Sequence, residues 1–289
     1  MADTIVTTVG DLNYLPNVYA LVESLKNTIP VHYLAIGENA RIVADQNQLE
    51  NLIVHDECEI LRWNPQLIKL KDENYKYYCW TLASNFTLYI LLQSKTNVCY
   101  VDSDILFHKP INKLIDQFET YSIALFRHRM FSLSSNPVEG RFNVGVIYFR
   151  NDATGIKCLK WWANSVAYRL YPEYQTCGDQ KYLDYIYDKY NKYIFVDGEV
   201  GHGAPWHWQL YELQDLFAKG LIYWEGKPQK YFFTHFSQMK CNFSLNEFIP
   251  STMHHCYTPI EAYGNDTFLM ALYTDYFQKV KRMYTNLFW

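Results

Sequence analysis

The chain has no Cys-x-x-Cys pair, and its seven cysteines (Cys58, Cys79, Cys99, Cys158, Cys177, Cys241 and Cys256) are scattered and odd in number. This excludes a disulfide framework and a paired-cysteine zinc site, and it predicts reduced thiols in a cytoplasmic setting. His254-His255 beside Cys256 lacks a second cluster to complete a zinc site. There is no basic excess: the net charge is −4, so no nucleic-acid partner is expected. No uncharged apolar run approaches the ~20 residues of a membrane span. The N-terminus lacks the basic stretch and long apolar run of a signal peptide, so none is expected. A Pro/Gly/Ser-rich linker, an internal repeat and a low-complexity tract are also missing, which favours one continuous domain.

What is present suits a well-filled core: 289 residues, 49% hydrophobic and 19% charged. The 26 tyrosines fit either a biased base composition or a sugar-binding surface. Apolar strands alternate with helical spacing. Strands are predicted at 4–9, 31–36, 52–54, from 98, and at 122–126, 143–149, 193–196 and 231–235. Helices are predicted at 14–27, within 39–52, and at 77–92, 111–118, 153–171 and 179–190. Such alternation is the mark of βαβ units and a mainly parallel sheet.

The segment Val98-Cys99-Tyr100-Val101-Asp102-Ser103-Asp104 ends a buried strand in two carboxylates two residues apart. Alternate residues of an extended chain point the same way, so Asp102 and Asp104 converge at the strand's carboxyl end, where open α/β sheets bind ligands. Two carboxylates there suit a hard divalent cation, which commonly carries a diphosphate. The competing reading is a solvated turn or a helix cap. Thr7-Thr8-Val9-Gly10-Asp11-Leu12-Asn13-Tyr14 closes the first strand and opens a helix. A nucleotide would meet backbone amides there, with Asp11 and Asn13 for hydrogen bonds and Tyr14 for stacking; alternatively Asp11 or Asn13 caps the helix.

Four further segments carry chemistry. Arg141 to Val146 enters a strand, with Asn143 available to a ligand and Gly145 permitting close approach. Gly178-Asp179-Gln180 opens a helix, Asp179 being either functional or a cap. The Gly- and Trp-rich loop from Gly201 to Trp208 offers Trp206 and His207 as a sugar platform or as buried anchors. His235, at the end of a late strand with Lys240 five residues on, suits a metal ligand plus a diphosphate contact.

Together these pieces resemble the GT-A glycosyltransferases, most nearly family 8 and the related glycosyltransferase-like proteins of bacterial polysaccharide clusters. The resemblance rests on Asp11-Leu12-Asn13-Tyr14, Asp102-Ser103-Asp104, Phe142-Asn143-Val144-Gly145-Val146, Asp179-Gln180 and His235-Phe236-Ser237-Gln238-Met239-Lys240. In the last of these, Gln238 stands where the family has Gly and the Lys arrives one residue early. The likeness implies an α/β fold: a single GT-A domain, Rossmann-like, with a mainly parallel central sheet flanked by helices. It would occupy residues 1–250, with 251–289 a helical appendage. It further implies a UDP-sugar donor, held by Thr8, Asp11, Asn13, Tyr14, Asp102 and Lys240, and a glycan, lipid-linked or protein-linked acceptor. Mn²⁺ or Mg²⁺ would sit on Asp102, Asp104 and His235. Gln180 would lie near the anomeric carbon with Asp179 beside it, in a retaining reaction. Asn143, Trp206 and His207 would touch sugar.

Two rival readings remain at this level. A sugar-1-phosphate nucleotidyltransferase needs a Gly-rich, basic triphosphate loop, and Val9-Gly10-Asp11-Leu12 has one Gly and no base. A catalytically inactive carbohydrate-binding protein would have no need of the metal cluster. The aromatic helix expected at 266–288, with Lys279, Lys281 and Arg282 near its end, either packs on the domain or contacts a membrane surface or a second copy.

Overall fold

The computed structural model describes residues 3–250 and 267–289; His254, His255, Cys256 and the start of the predicted last helix at Asp266 lie outside them. In chain order the strands are β1 (Thr4–Asp11), β2 (Val31–Ile36), β3 (Leu52–Asp56), β4 (Asn97–Val101), β5 (Ile105–Phe107), β6 (Ile123–Arg127) and β7 (Phe142–Phe149). There follow β8 (Ile194–Val196), β9 (Val200–Gly203), β10 (Tyr211–Glu212), β11 (Leu221–Trp224), β12 (Lys227–His235), β13 (Lys240–Asn242) and β14 (Glu247–Ile249). The helices are α1 (Leu15–Ser24), α2 (Glu38–Gln46), α3 (Glu57–Trp63), α4 (Gln66–Glu73), α5 (Tyr75–Ser94), α6 (Ile111–Ile115), α7 (Ala153–Ala167), α8 (Tyr182–Tyr190), α9 (Leu216–Lys219) and α10 (Thr267–Phe288).

The central sheet has seven strands in the order β3-β2-β1-β4-β7-β6-β8. β7 pairs antiparallel with both β4 and β6, and the remaining pairings are parallel. Two cores result from the two-residue period of its strands. Val31, Tyr33 and Ala35 of β2 face α1, α2 and the second sheet. Leu34 and Ile36 face α5, α7 and α8. This is the mixed α/β architecture expected, with helices covering both faces of a mostly parallel sheet.

α5 is buried nearly all round. Its polar residues are satisfied inside the helix: the hydroxyls of Thr81 and Thr87 donate to carbonyls four residues back, and Thr87 also pairs with Thr7 of β1 at 2.8 Å. Such back-bonding is what lets hydroxyl residues sit in a helix packed on both sides. The smaller sheet runs β10-β11-β12-β5, with β9 alongside β12 in parallel. It brings the end of β12 against β5, so that His235 lies opposite Ile105. α10 packs on α1 and on this sheet. Tyr276 stacks on Phe236 with ring centroids 3.8 Å apart and accepts a hydrogen bond from Asn17 at 2.8 Å.

Several predicted boundaries move. The helix expected at 179–190 starts at Tyr182, because Gly178 at φ +60° breaks the chain after a 3-10 segment at Pro172–Cys177. Asp179 therefore is not a helix cap. The helix expected at 153–171 stops at Ala167, where Arg169 and Tyr171 take positive φ.

Candidate active site

β1 and β4 end side by side, and a cavity of about 540 Å³ opens over their carboxyl ends. Asp102 follows β4 directly, anchored by its backbone N–H to the Gly145 carbonyl at 2.8 Å. Its Oδ1 accepts from the Tyr100 hydroxyl at 2.6 Å. Asp104 precedes β5, and its carbonyl accepts from the Phe236 N–H at 2.9 Å. That bond ties the second carboxylate to the residue after His235. His235 Nε2 lies 3.0 Å from Asp104 Oδ1 and 3.6 Å from Asp102 Oδ2. One ligand atom from each of the three residues falls within 4.8 Å of the others.

The other face of the imidazole fixes its tautomer. The Gly145 N–H donates to an Asn143 side-chain atom at 2.7 Å, so that atom is the oxygen. His235 Nδ1 lies 3.1 Å from the same oxygen and must donate to it. Nε2 is then left facing two carboxylates, with either a proton or a cation to accommodate. Metal-binding histidines are oriented in this way, their second nitrogen donating to an oxygen behind. Burial, the largest influence on His235, disfavours its charged form, but Asp104 and Asp102 outweigh it and raise its pKa. Burial raises the Asp102 carboxyl, with His235 opposing and Asp104 reinforcing. The three groups thus gather uncompensated negative charge around one nitrogen, and a hard divalent cation fits that donor set.

From this cluster a chain of hydrogen bonds runs across the cavity floor. Asn143 Nδ2 donates to Gln180 Oε1 at 3.1 Å, and Gln180 Nε2 donates to the Glu139 carbonyl at 2.7 Å. Both amides are locked, each with hydrogen-bonding capacity to spare toward the cavity. Asp179 is 6% exposed; its backbone carbonyl accepts from Trp162 Nε1 while its Oδ2 has no partner. Burial, then the Asp102 charge, pushes its carboxyl well above the usual range. A hydroxyl of a bound ligand would satisfy that oxygen.

Asp11, Tyr14, Asp102, Asp104, Asn143, Asp179, Gln180, Trp206 and His235 all line the cavity. Asn13 does not; it lines a smaller depression with Asp11, Gly37 and Glu38, and the backbone N–H groups of Asn13 and Tyr14 both donate to Asp11 Oδ1. Thr8 is fully buried in β1 with an unpartnered hydroxyl. His207 is fully buried behind Trp206, with Nε2 3.2 Å from the Arg127 carbonyl. Lys240 is exposed on β13, away from the cavity. Sequence reasoning assigned no site role to Trp80, whose ring packs on Gly178, to His128 and Glu139, or to Ser237 and Gln238 of the quoted His235 motif, all of which reach the cavity. Trp80 carried a legible signal, one turn beyond Lys76 on a helix facing the sheet. Ser237 and Gln238 were legible through that motif, whereas His128 and Glu139 sit on an irregular segment with no pattern to read.

No family model matches the chain. It is 26% identical over 253 residues to YfnF, an uncharacterized protein of Bacillus subtilis strain 168, covering 82% of this chain and 81% of that protein. Among solved structures it is similar to apo mouse xyloside xylosyltransferase 1, with a TM-score of 0.54 at 15% identity, covering 82% of this chain and 98% of that one. The glycosyltransferase GlyE of Streptococcus pneumoniae TIGR4 gives a TM-score of 0.37 at 16% identity, covering 68% and 45%. The fold of this chain is therefore that of a GT-A-type nucleotide-sugar transferase, with an Asp-Asp-His cluster at the carboxyl end of its central sheet.

Proposed function

We propose that this protein transfers a glycosyl group from a nucleoside-diphosphate sugar, with UDP the expected nucleotide, to a glycan or glycoconjugate acceptor in the cytoplasm. The observation that carries the reading is the cluster of Asp102, Asp104 and His235, with the His235 tautomer set from behind by Asn143. It lines a cavity that Gln180, Asp179 and Trp206 also line, the Trp206 ring centred 5.5 Å from that of His235. Asp102, Asp104 and His235 would hold Mn²⁺ or Mg²⁺, which supplies positive charge for the departing diphosphate.

The chain's own residues do the rest. Tyr14 and Asp11 bracket the nucleoside end. Asn143 keeps the imidazole aimed and shares Gln180's carbonyl oxygen. Gln180, pinned at both ends, presents that oxygen beside the expected position of the anomeric carbon, which suits a retaining transfer. Asp179 binds a sugar hydroxyl with its unmatched oxygen. Trp80, 40% exposed, offers its ring to the sugar, whereas Trp206 is 4% exposed and anchors the cavity wall against His128, His207 and His235.

A thermal-shift screen of nucleoside-diphosphate sugars, with and without Mn²⁺, tests the reading on the wild type and on Asp104→Ala. A ligand present at 100 times its Kd stabilises the folded state by about 2.7 kcal/mol. A Mn²⁺-dependent rise of several degrees with one donor, lost in Asp104→Ala, is the expected result. No rise with any donor in a folded sample would overturn it.

A further inference from the structure

We infer that Gln238, and not Lys240, is the side chain that meets the phosphate end of the nucleotide donor; this rests on the reading above. Lys240 begins β13 and points its ammonium to solvent, off the cavity, whereas Ser237 and Gln238 line it next to His235. The backbone explains the exchange. Gln238 adopts φ +60°, a left-handed conformation that a side-chain-bearing residue rarely takes. The turn is held there from three sides. The Phe236 N–H bonds the Asp104 carbonyl at 2.9 Å, the Met239 N–H bonds the Phe236 carbonyl at 3.1 Å, and the Phe236 ring is stacked on Tyr276. Strain that is over-determined beside a site is a pointer to function. Here it turns the chain so that residue 238 faces in and residue 240 faces out.

The charge around the cavity gives the substitution its meaning. Asp11, Asp102, Asp104, Glu139 and Asp179 line it, and Lys76 is the lysine or arginine among the described lining residues. Lys76 lies over the indole ring of Trp80, 4.8 Å from its centroid, and not in the 235–240 turn. A diphosphate entering here therefore meets a neutral amide donor beside the metal ligands. Among the described residues of the 235–240 turn no ammonium lines the cavity, so the cation would supply the positive charge there. Nucleotide binding should accordingly depend strongly on the metal, because among the described residues the one lysine or arginine lining the cavity, Lys76, lies over Trp80 and not beside the metal ligands.

Titration calorimetry with UDP, GDP, ADP and dTDP in Mn²⁺, on the full chain, tests this. One hydrogen bond from a neutral amide to a charged phosphate corresponds to roughly a tenfold to hundredfold change in affinity. Gln238→Gly, which the left-handed backbone welcomes, should weaken the preferred diphosphate by that factor, weaken the matching monophosphate less, and keep or raise the melting temperature. Gln238→Glu should weaken the diphosphate further. Lys240→Ala should bind as the wild type does. A wild type that binds a diphosphate, with Gln238→Gly unchanged or Lys240→Ala the weaker of the two, overturns this inference alone. A wild type that binds none of the four overturns the proposed function and the inference with it.

Discussion

A methyl group at position 145 would stand 2.6 Å from Asn143 Oδ1 and 2.7 Å from His235 Nδ1. Both distances are below any real contact, so Gly145 exists to let those two side chains meet. Gly145→Ala should keep the fold, since its backbone φ is ordinary, but push Asn143 or His235 aside. Loss of such a supporting contact typically costs 10–100-fold in metal affinity, and Mn²⁺ titration with a circular-dichroism control would detect it. Wild-type affinity in Gly145→Ala would refute the role. The glycine was readable in the strand; its reason was not, because the partner His235 comes 92 residues after Asn143.

Asp179 yields a pH prediction. Its raised carboxyl binds a proton in the folded state at pH values where the unfolded chain has released it. Its contribution therefore weakens stability as pH rises from the ordinary carboxylate value through the raised one. Asp179→Asn removes that slope. Its melting temperature should exceed the wild type's at pH 8, and the gain should shrink as the pH falls toward 4. A gain that does not vary with pH would show that Asp179 is charged in the folded protein.

Elements differ in how plainly the sequence announces them. β1, β2, β4, β7 and α5 were legible because elements buried on both faces read as near-continuous apolar runs of strand or helix length. α3 was missed although Asp56 and Glu59 form a capping box, the Asp56 carboxylate accepting from Cys58 N–H at 2.7 Å and Glu59 from Asp56 N–H at 3.3 Å. β9 reads as a Gly- and Trp-rich loop, yet Gly201 and Gly203 are strand residues crowded by Lys230, Ile222, Trp208 and Tyr231. Its strand character comes from pairing with β12, which no local pattern encodes. α10 was legible as an amphipathic helix, and its packing makes a prediction. Tyr276 is fully buried on Phe236, the residue that links His235 to Asp104. Tyr276→Ala should cost about 3–5 kcal/mol and Tyr276→Phe about 1 kcal/mol, read by urea unfolding. Mn²⁺ affinity should fall in the first and hold in the second. Equal, small effects would mean that α10 only rests on the surface.

At the scale of the whole molecule, the order of motifs along the chain was more informative than any one of them. Asp102, Asn143, Gln180 and His235 lie far apart in sequence, and the topology gathers them at one edge because β4, β7 and β12 all deliver ends there. The antiparallel pairing of β4 with β7, Val101 opposite Val146, is what sets Asp102 against Gly145 and places Asn143 behind His235. A one-residue slip in that ladder would turn every side chain of β7 to the opposite face. The segment 128–141 between β6 and β7 has no ladder to keep in register; its second half is tied down by the Pro137, Val138 and Glu139 carbonyls, which accept from Lys181, Thr176 and Gln180, and it supplies His128, Met130, Phe131 and Glu139 to the cavity wall. Tolerance to length change should therefore be sharply divided. Single-residue insertions at 134–136, between the Leu133 and Pro137 carbonyls held by Arg141 and Lys181, should leave Mn²⁺ binding intact, and insertions within 97–101 or 142–149 should abolish it. An insertion scan read by metal titration would show no such boundary if the ladder were not the determinant. Such a division would let the cavity wall at 128–141 change in length and composition while the frame that carries Asp102, Asp104 and His235 stays fixed.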